Sequence, residues 1–117
     1  ESISSIESHI RRQTVLVARQ RGAIVGSARG IVEGSTCTIR AVLVDPSCQG
    51  RGIGGALLAA VEQLHPEVER FELTTNTLVP GNVQFYERRG YVVHERVHYA
   101  GQIVLAQMRK PNPAKGA

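Results

Sequence analysis

Four glycines within six residues, Gly50, Gly52, Gly54 and Gly55, stand between a β-branched run that ends at Val44 and an apolar stripe of Ile53, Leu57, Leu58, Val61 and Leu64. The stripe has helical spacing and predicts a helix from about Arg51 to His65, closed by Pro66. Each glycine disfavours a helix by roughly 1 kcal/mol relative to alanine, so a chain under no other demand would avoid four of them at a helix start. What they permit is a sharp bend and a close approach of backbone to a ligand. The first-turn N–H groups of a helix have no intrahelical partners, and the helix dipole adds partial positive charge where they point. The segment Val42–Gly55 therefore reads as a strand, a phosphate-gripping turn and a helix start, with Arg51 adding a formal cation. A plain surface loop is the competing reading, but it does not explain why the turn leads straight into an amphipathic helix. Two other phosphate turns fail on detail: no Gly-Lys-Ser/Thr follows, and the register is not G-x-G-x-x-G.

The surrounding chain supplies the context for this turn. Ile3, Ile6 and Ile10 lie at helical spacing within Ser2–Arg12, which predicts a short amphipathic helix serving as a lid or packing element. Val15 and Val17 then alternate with smaller residues, Arg21-Gly22 breaks the run, and Ala23–Val32 resumes it, as in an antiparallel hairpin. Glu33-Gly34-Ser35 is a second turn, and Thr36–Val44 is a third strand ended by Asp45-Pro46. Beyond the helix, Phe71–Thr75 reads as a strand and Pro80–Arg89 as a short helix that stops at Gly90. Tyr91–His98 and Ile103–Met108 read as the last two strands. The order β-β-β-α-β-α-β-β, with a crossover helix between the third and fourth strands, implies an α+β fold on a mixed sheet with at least one parallel pair. Residues 1–110 make one domain and 111–117 a C-terminal tail.

Composition narrows the function. A formal charge of +4 mildly favours polyanionic partners. The basic residues are scattered, however, and no zinc-finger, RNP or basic-zipper pattern is present, which argues against nucleic acid. Cys37 and Cys48 are too few and too isolated for a disulfide framework or a C-x-x-C redox or zinc motif, so reduced thiols and a cytoplasmic location are the expectation. No run approaches the ~20 apolar residues of a membrane span, and no export signal is legible.

Gln49-Gly50-Arg51-Gly52-Ile53-Gly54 resembles the Q/R-x-x-G-x-G/A signature of the GNAT superfamily of N-acetyltransferases, whose backbone amides grip the pyrophosphate of acetyl-CoA. A second stretch, Phe85-Tyr86-Glu87-Arg88-Arg89-Gly90-Tyr91, is similar to that family's F/L-Y-x-x-x-G-F/Y helix and turn. The strand order matches the family from its second strand onward. The resemblance covers roughly Thr14 to Lys110, and the strand and helix with which family members normally begin are not legible here.

The resemblance implies acetyl-CoA as co-substrate, no metal, and an amine of a small molecule or protein as acceptor. It implies a sheet splayed between the strands near 36–45 and 69–75, with pantetheine lying along the backbone of Val42, Leu43 and Val44. It further implies a backbone N–H near Val44 as oxyanion donor, and Gln49, Gly50, Arg51, Gly52, Ile53, Gly54 and Gly55 around the diphosphate. Tyr86 matches the tyrosine that protonates the departing thiolate, a task that suits a phenol neutral at pH 7; a core tyrosine packed behind the helix is the alternative. Where the family often has a cofactor-binding asparagine this chain has Val79, leaving Asn82 and Asn76 as substitutes. Where some relatives carry a glutamate base this chain has Arg40, leaving Glu33, His94 and His98 as weak candidates or a water-mediated base. His94 and His98 share a strand face by parity, but no third ligand of suitable spacing accompanies them as a metal site would need. Cys48 is filler rather than nucleophile. Arg88-Arg89 form a solvated face, with the 3′-phosphate of the cofactor as the functional alternative. Ser2–Arg12, Thr77–Gly81 and the Tyr99-Ala100-Gly101 turn are where substrate contacts are expected, and that last turn makes a homodimer a candidate assembly. A non-catalytic acyl-CoA-binding module is the rival reading; it would keep the glycine turn and tolerate loss of Tyr86.

Overall fold

The computed structural model describes residues 5–10, 14–50 and 52–115. Four strands, β1 (Ser5–Ile10), β2 (Thr14–Gln20), β3 (Ala23–Glu33) and β4 (Thr36–Val44), form an antiparallel meander. The helix expected over Ser2–Arg12 is thus corrected: its described part, Ser5–Ile10, is a strand, and residues 2–4, 11 and 12 lie outside the described residues. Ile6 and Ile10 are four apart, an even interval that puts two side chains on one side of a strand as readily as on one side of a helix. The free edge of β2 decides, through the ladder Ile6↔Ala18 to Ile10↔Thr14. At the β2–β3 turn, Arg21 and Gly22 both take positive φ, 54° and 82°, the primed geometry whose twist matches that of the flanking strands.

Helix α1 (Ile53–Leu64) packs over β2, β3 and β4 and buries Ile53, Leu57, Leu58 and Val61. The seat for it is cut into β3, where Gly26, Ala28 and Gly30 face the helix at the strand's period of two. A Cβ at Gly26 would stand 3.0 Å from both Leu57 Cδ1 and the Leu43 carbonyl oxygen, and one at Gly30 would stand 3.1 Å from Val61 Cγ1. With few aromatics in the chain, small strand residues let the helix approach closely enough to fill the interior with aliphatic groups.

The chain then crosses to β5 (Arg70–Asn76) and continues through helix α2 (Asn82–Glu87), β6 (Val92–Ala100) and β7 (Ile103–Pro111). The strand order is β1-β2-β3-β4-β5-β7-β6, antiparallel except where β4 meets β5. That parallel ladder holds only Thr36–Thr38 against Arg70–Glu72. Beyond it the two strands part, as the resemblance implied. A bulge in β4 accompanies the parting: Arg29 pairs Arg40 and Ser27 pairs Leu43, so Ala41 and Val42 together oppose Ala28, with Ala41 at φ 55°. Such an extra residue bends and twists the strand that carries it.

A polar node fastens the far side of α1. Tyr91, 1% exposed, donates its hydroxyl to Glu62 Oε2 at 2.8 Å, and Lys110 Nζ meets Glu62 Oε1 at 2.8 Å. One carboxylate thereby joins α1, the start of β6 and the end of β7. Asn112, in the stretch read as tail, is buried and donates to the carbonyls of His65 and Val68.

Candidate functional site

The end of β4, the glycine turn and α2 enclose a cleft of about 420 Å³. Its walls are Val42 and Val44 of β4, the turn through Gln49 and Gly50, the first turn of α1, and the segment from Val79 to Arg88. The turn is built locally. Asp45 accepts from the Ser47 amide at 2.9 Å and the Ser47 hydroxyl at 2.6 Å, bonds that hold its carboxyl below the usual carboxylate range and start a 3-10 turn at Pro46–Cys48. Gln49 Nε2 donates back to the Val44 carbonyl at 3.3 Å, tying the end of β4 to the turn.

The four glycines divide into two pairs with different duties. Gly50 and Gly52 take φ 82° and 80°, the left-handed region that side-chain-bearing residues avoid, and a Cβ at either would meet nothing within 4 Å. They are there for conformation. Gly54 and Gly55 are there for packing: a Cβ at Gly54 would stand 3.3 Å from Phe85 Cζ, and one at Gly55 would stand 2.7 Å from Arg89 Nη2. Gly52 caps α1 without any side-chain hydrogen bond, and no acidic residue sits in the first turn. The leading amides of α1 are therefore left for a ligand, and an anion placed against them meets the positive end of the helix.

Tyr86 lines the cleft from α2, in edge-on contact with the rings of Phe85 and Tyr91 at centroid distances of 5.0 and 6.0 Å. Burial pushes its phenol above the ordinary value of 10.0, with the charge of Arg89 opposing. The hydroxyl-bearing ring is thus kept in its neutral, proton-bearing form and still reaches the cleft.

Of the other residues singled out in the sequence, Val42, Val44, Gln49, Gly50, Ile53, Gly54 and Asn82 also line the cleft. Asn82 Nδ2 donates to Thr75 Oγ1 at 3.0 Å, which anchors the start of α2 to β5. Asn76 is not among the lining residues, and its side chain is spent on the amide of Leu78 at 2.9 Å. Leu43 points away from the cleft, 61% exposed, and Gly55 backs onto Arg89. Arg51 lies outside the described residues. Neither Glu33, His94 nor His98 lines the cleft, and no group of three or more metal-capable side chains occurs among the described residues. The β6 register also slips between Val93 and Glu95, so simple parity does not carry from His94 to His98. Cys48 is buried and also lines the cleft. Burial, with the charge of Glu67 second, raises the Cys37 thiol to about 11, which leaves it inert.

Arg89 corrects an expectation. Instead of belonging to a solvated face, its guanidinium lies 3.9 Å over the Phe85 ring, donates to the Phe85 carbonyl at 2.8 Å and rests against Gly55. It clamps α2 to the first turn of α1. Arg88, one residue earlier, is exposed and lines the cleft. Sequence reasoning missed the clamp, although an arginine four residues after Phe85 on a short helix was its available signal. Of the Thr77–Gly81 stretch expected to meet substrate, Val79, Pro80 and Gly81 form one wall of the cleft.

Comparison with known proteins agrees with this geometry. Residues 11–93 match the family model described as an acetyltransferase (GNAT) domain. No curated protein matches the chain in sequence. The fold is similar to that of the ribosomal-protein-S18-alanine N-acetyltransferase from Escherichia coli, with a TM-score of 0.80 and 21% identity over 89% of this chain and 72% of that one. It is similar to an aminoglycoside 6′-N-acetyltransferase complexed with coenzyme A, at TM-score 0.78 and 18% identity over 86% and 73% of the two chains. A GNAT family acetyltransferase from Elizabethkingia anophelis with acetyl-CoA bound gives TM-score 0.73 and 17% identity over 86% and 76%.

Proposed function

The chain belongs to the GNAT acetyltransferase domain family, and on that premise we propose that it moves an acetyl group from acetyl-CoA to a primary amine by direct attack in a ternary complex. As an acyltransferase of this family it needs an anion grip for the diphosphate, a path for the pantetheine arm and an acid for the leaving thiolate. The observation that carries the reading is the uncapped first turn of α1, opening beside Tyr86 into one cleft. In the proposed mechanism the amides around Gly50 to Gly55 hold the diphosphate, and Gln49 keeps the end of β4 against the turn. The arm lies along Val42 to Val44 in the gap left by the parted strands, and a backbone N–H near Val44 faces the carbonyl oxygen of the thioester.

The incoming amine attacks that carbonyl in its neutral form, the carbon–sulfur bond breaks, and Tyr86 gives its proton to the sulfur that leaves. Among the described residues lining the cleft none is a carboxylate or imidazole, so the amine's proton leaves through water, which also returns a proton to Tyr86. The acceptor is a small molecule or a protein amine.

Two measurements test this. Coenzyme A at a hundred times its Kd is expected to stabilise the fold by about 2.7 kcal/mol, a rise of roughly 10 °C in Tm for a domain of this size, whereas pantetheine without the diphosphate gives much less. Release of free thiol with an amine panel then reports turnover. No stabilisation by coenzyme A would sink the reading, and binding without thiol release across the panel would make the chain an acyl-CoA-binding module.

A further inference from the structure

The face of the sheet opposite α1 carries an unusual pair. Arg29 and Arg40 are direct cross-strand partners on β3 and β4, both exposed. Like charges placed directly opposite one another repel, which makes this an unfavourable arrangement for the sheet alone. Among the described residues neither arginine makes a hydrogen bond or ion pair. Glu72, opposite Thr38 at the end of the β4–β5 ladder, is already engaged by Arg109 at 3.0 Å. Glu95 lies further off on the edge strand β6, and Glu33 at the far β3–β4 turn.

Position gives the pair its meaning. The β4–β5 ladder ends at Thr38↔Glu72, and Arg40 comes two residues later, immediately before the bulge at Ala41. Val42, on the cleft wall, is two residues further, about 7 Å along the strand. Beyond the ladder's end the two faces of the sheet communicate through the gap. On one face α1 and α2 close around the cleft, so an acceptor reaching the gap while the cofactor fills that side comes from the other face, past Arg29 and Arg40.

We infer that Arg29 and Arg40 form an acceptor-recognition site for a small amine that carries a carboxylate, whose negative charge offsets their repulsion while its amino group enters the gap. This rests on the acetyl-transfer reading above and deepens it by naming the substrate class. Two guanidinium groups side by side suit a planar carboxylate, which accepts paired N–H bonds.

The test uses the full chain saturated with coenzyme A and three probes of equal backbone, the amides of glycylglutamate, glycylglutamine and glycyllysine, with binding measured by calorimetry. Glycylglutamate amide is expected to bind roughly tenfold or more tightly than the glutamine analogue, with the lysine analogue weakest. The double variant R29Q/R40Q is expected to abolish that ranking, R29K/R40K to keep most of it, and neither to change the affinity for coenzyme A. With acetyl-CoA in place of coenzyme A, the same preference is expected in KM and not in kcat. Equal binding of the three probes, or a ranking that survives R29Q/R40Q, overturns the inference and leaves acetyl transfer standing. Failure of coenzyme A itself to bind removes both.

Discussion

Tyr86 is the residue on which the proposed chemistry turns. Its replacement by phenylalanine is expected to lower kcat roughly 10²-fold or more while leaving coenzyme A binding within a factor of two or so, because the ring's packing remains and only the proton is lost. Since burial raises its phenol above 10.0, no loss of activity from its ionisation is expected between pH 7 and pH 9. A kcat profile that fell with an apparent pKa near 8 and lost that limb in Tyr86→Phe would contradict this assignment. Tyr91 differs in kind, since its hydroxyl serves the fold. Burial, and after it the charge of Glu62, raises its pKa far above the ordinary value. Above about pH 10 the unfolded chain releases this proton while the folded chain keeps it, so the stability associated with Tyr91 is present below that pH and declines as pH rises. Tyr91→Phe is expected to cost about 1–3 kcal/mol at pH 7 and to flatten the alkaline decline, as denaturant titrations at pH 7 and pH 10.5 will report.

At the scale of elements, the glycine turn and the glycine seat of β3 respond differently to the same substitution. Gly52→Ala places a side chain at φ 80° in open space, so its cost is conformational, about 1–2 kcal/mol. The anion grip is expected to loosen with it, seen as weaker coenzyme A binding. Gly26→Val forces branched bulk between Leu57, Ile53 and the Leu43 carbonyl, which cannot move aside without breaking the β3–β4 pairing. It is expected to destabilise by about 1–3 kcal/mol or more and to lift α1 from the sheet, measured as a fall in Tm whether or not coenzyme A is present. The helices that flank the cleft were legible because each has a stop written beside it, Pro66 after one and Gly90 after the other. The strand at Ser5–Ile10 was not, since its isoleucine interval satisfies both periods and only a neighbouring edge could choose.

Over the whole molecule, the proposed function depends on a sheet that is left incomplete between β4 and β5. Three residue pairs hold β4 to β5, and the bulge at Ala41 turns β4 away beyond them. The cleft lies on the helix side of this opening and the arginine pair on the other. No helix among the described residues is long and apolar enough to cross a membrane. The node of Glu62, Tyr91 and Lys110 keeps α1 fixed from behind while its first turn lines the cleft. Glu62→Gln is expected to lower stability by about 1–3 kcal/mol, read from denaturant midpoints, with kcat little changed, because neither Glu62, Tyr91 nor Lys110 lines the cleft.

The sequence by itself determined the strand–glycine–helix unit, the crossover that requires a parallel pair and the placement of Tyr86 on a short helix, because these rest on local periodicity, backbone freedom and capping. Tertiary structure alone decided which glycines serve conformation and which serve packing, since that depends on Phe85 and Arg89, thirty or more residues away. It likewise decided that Asn82 and not Asn76 lines the cleft, and that Arg29 stands opposite Arg40. Each of those facts is a relation between distant segments, fixed only when β-strand register and helix packing bring them together.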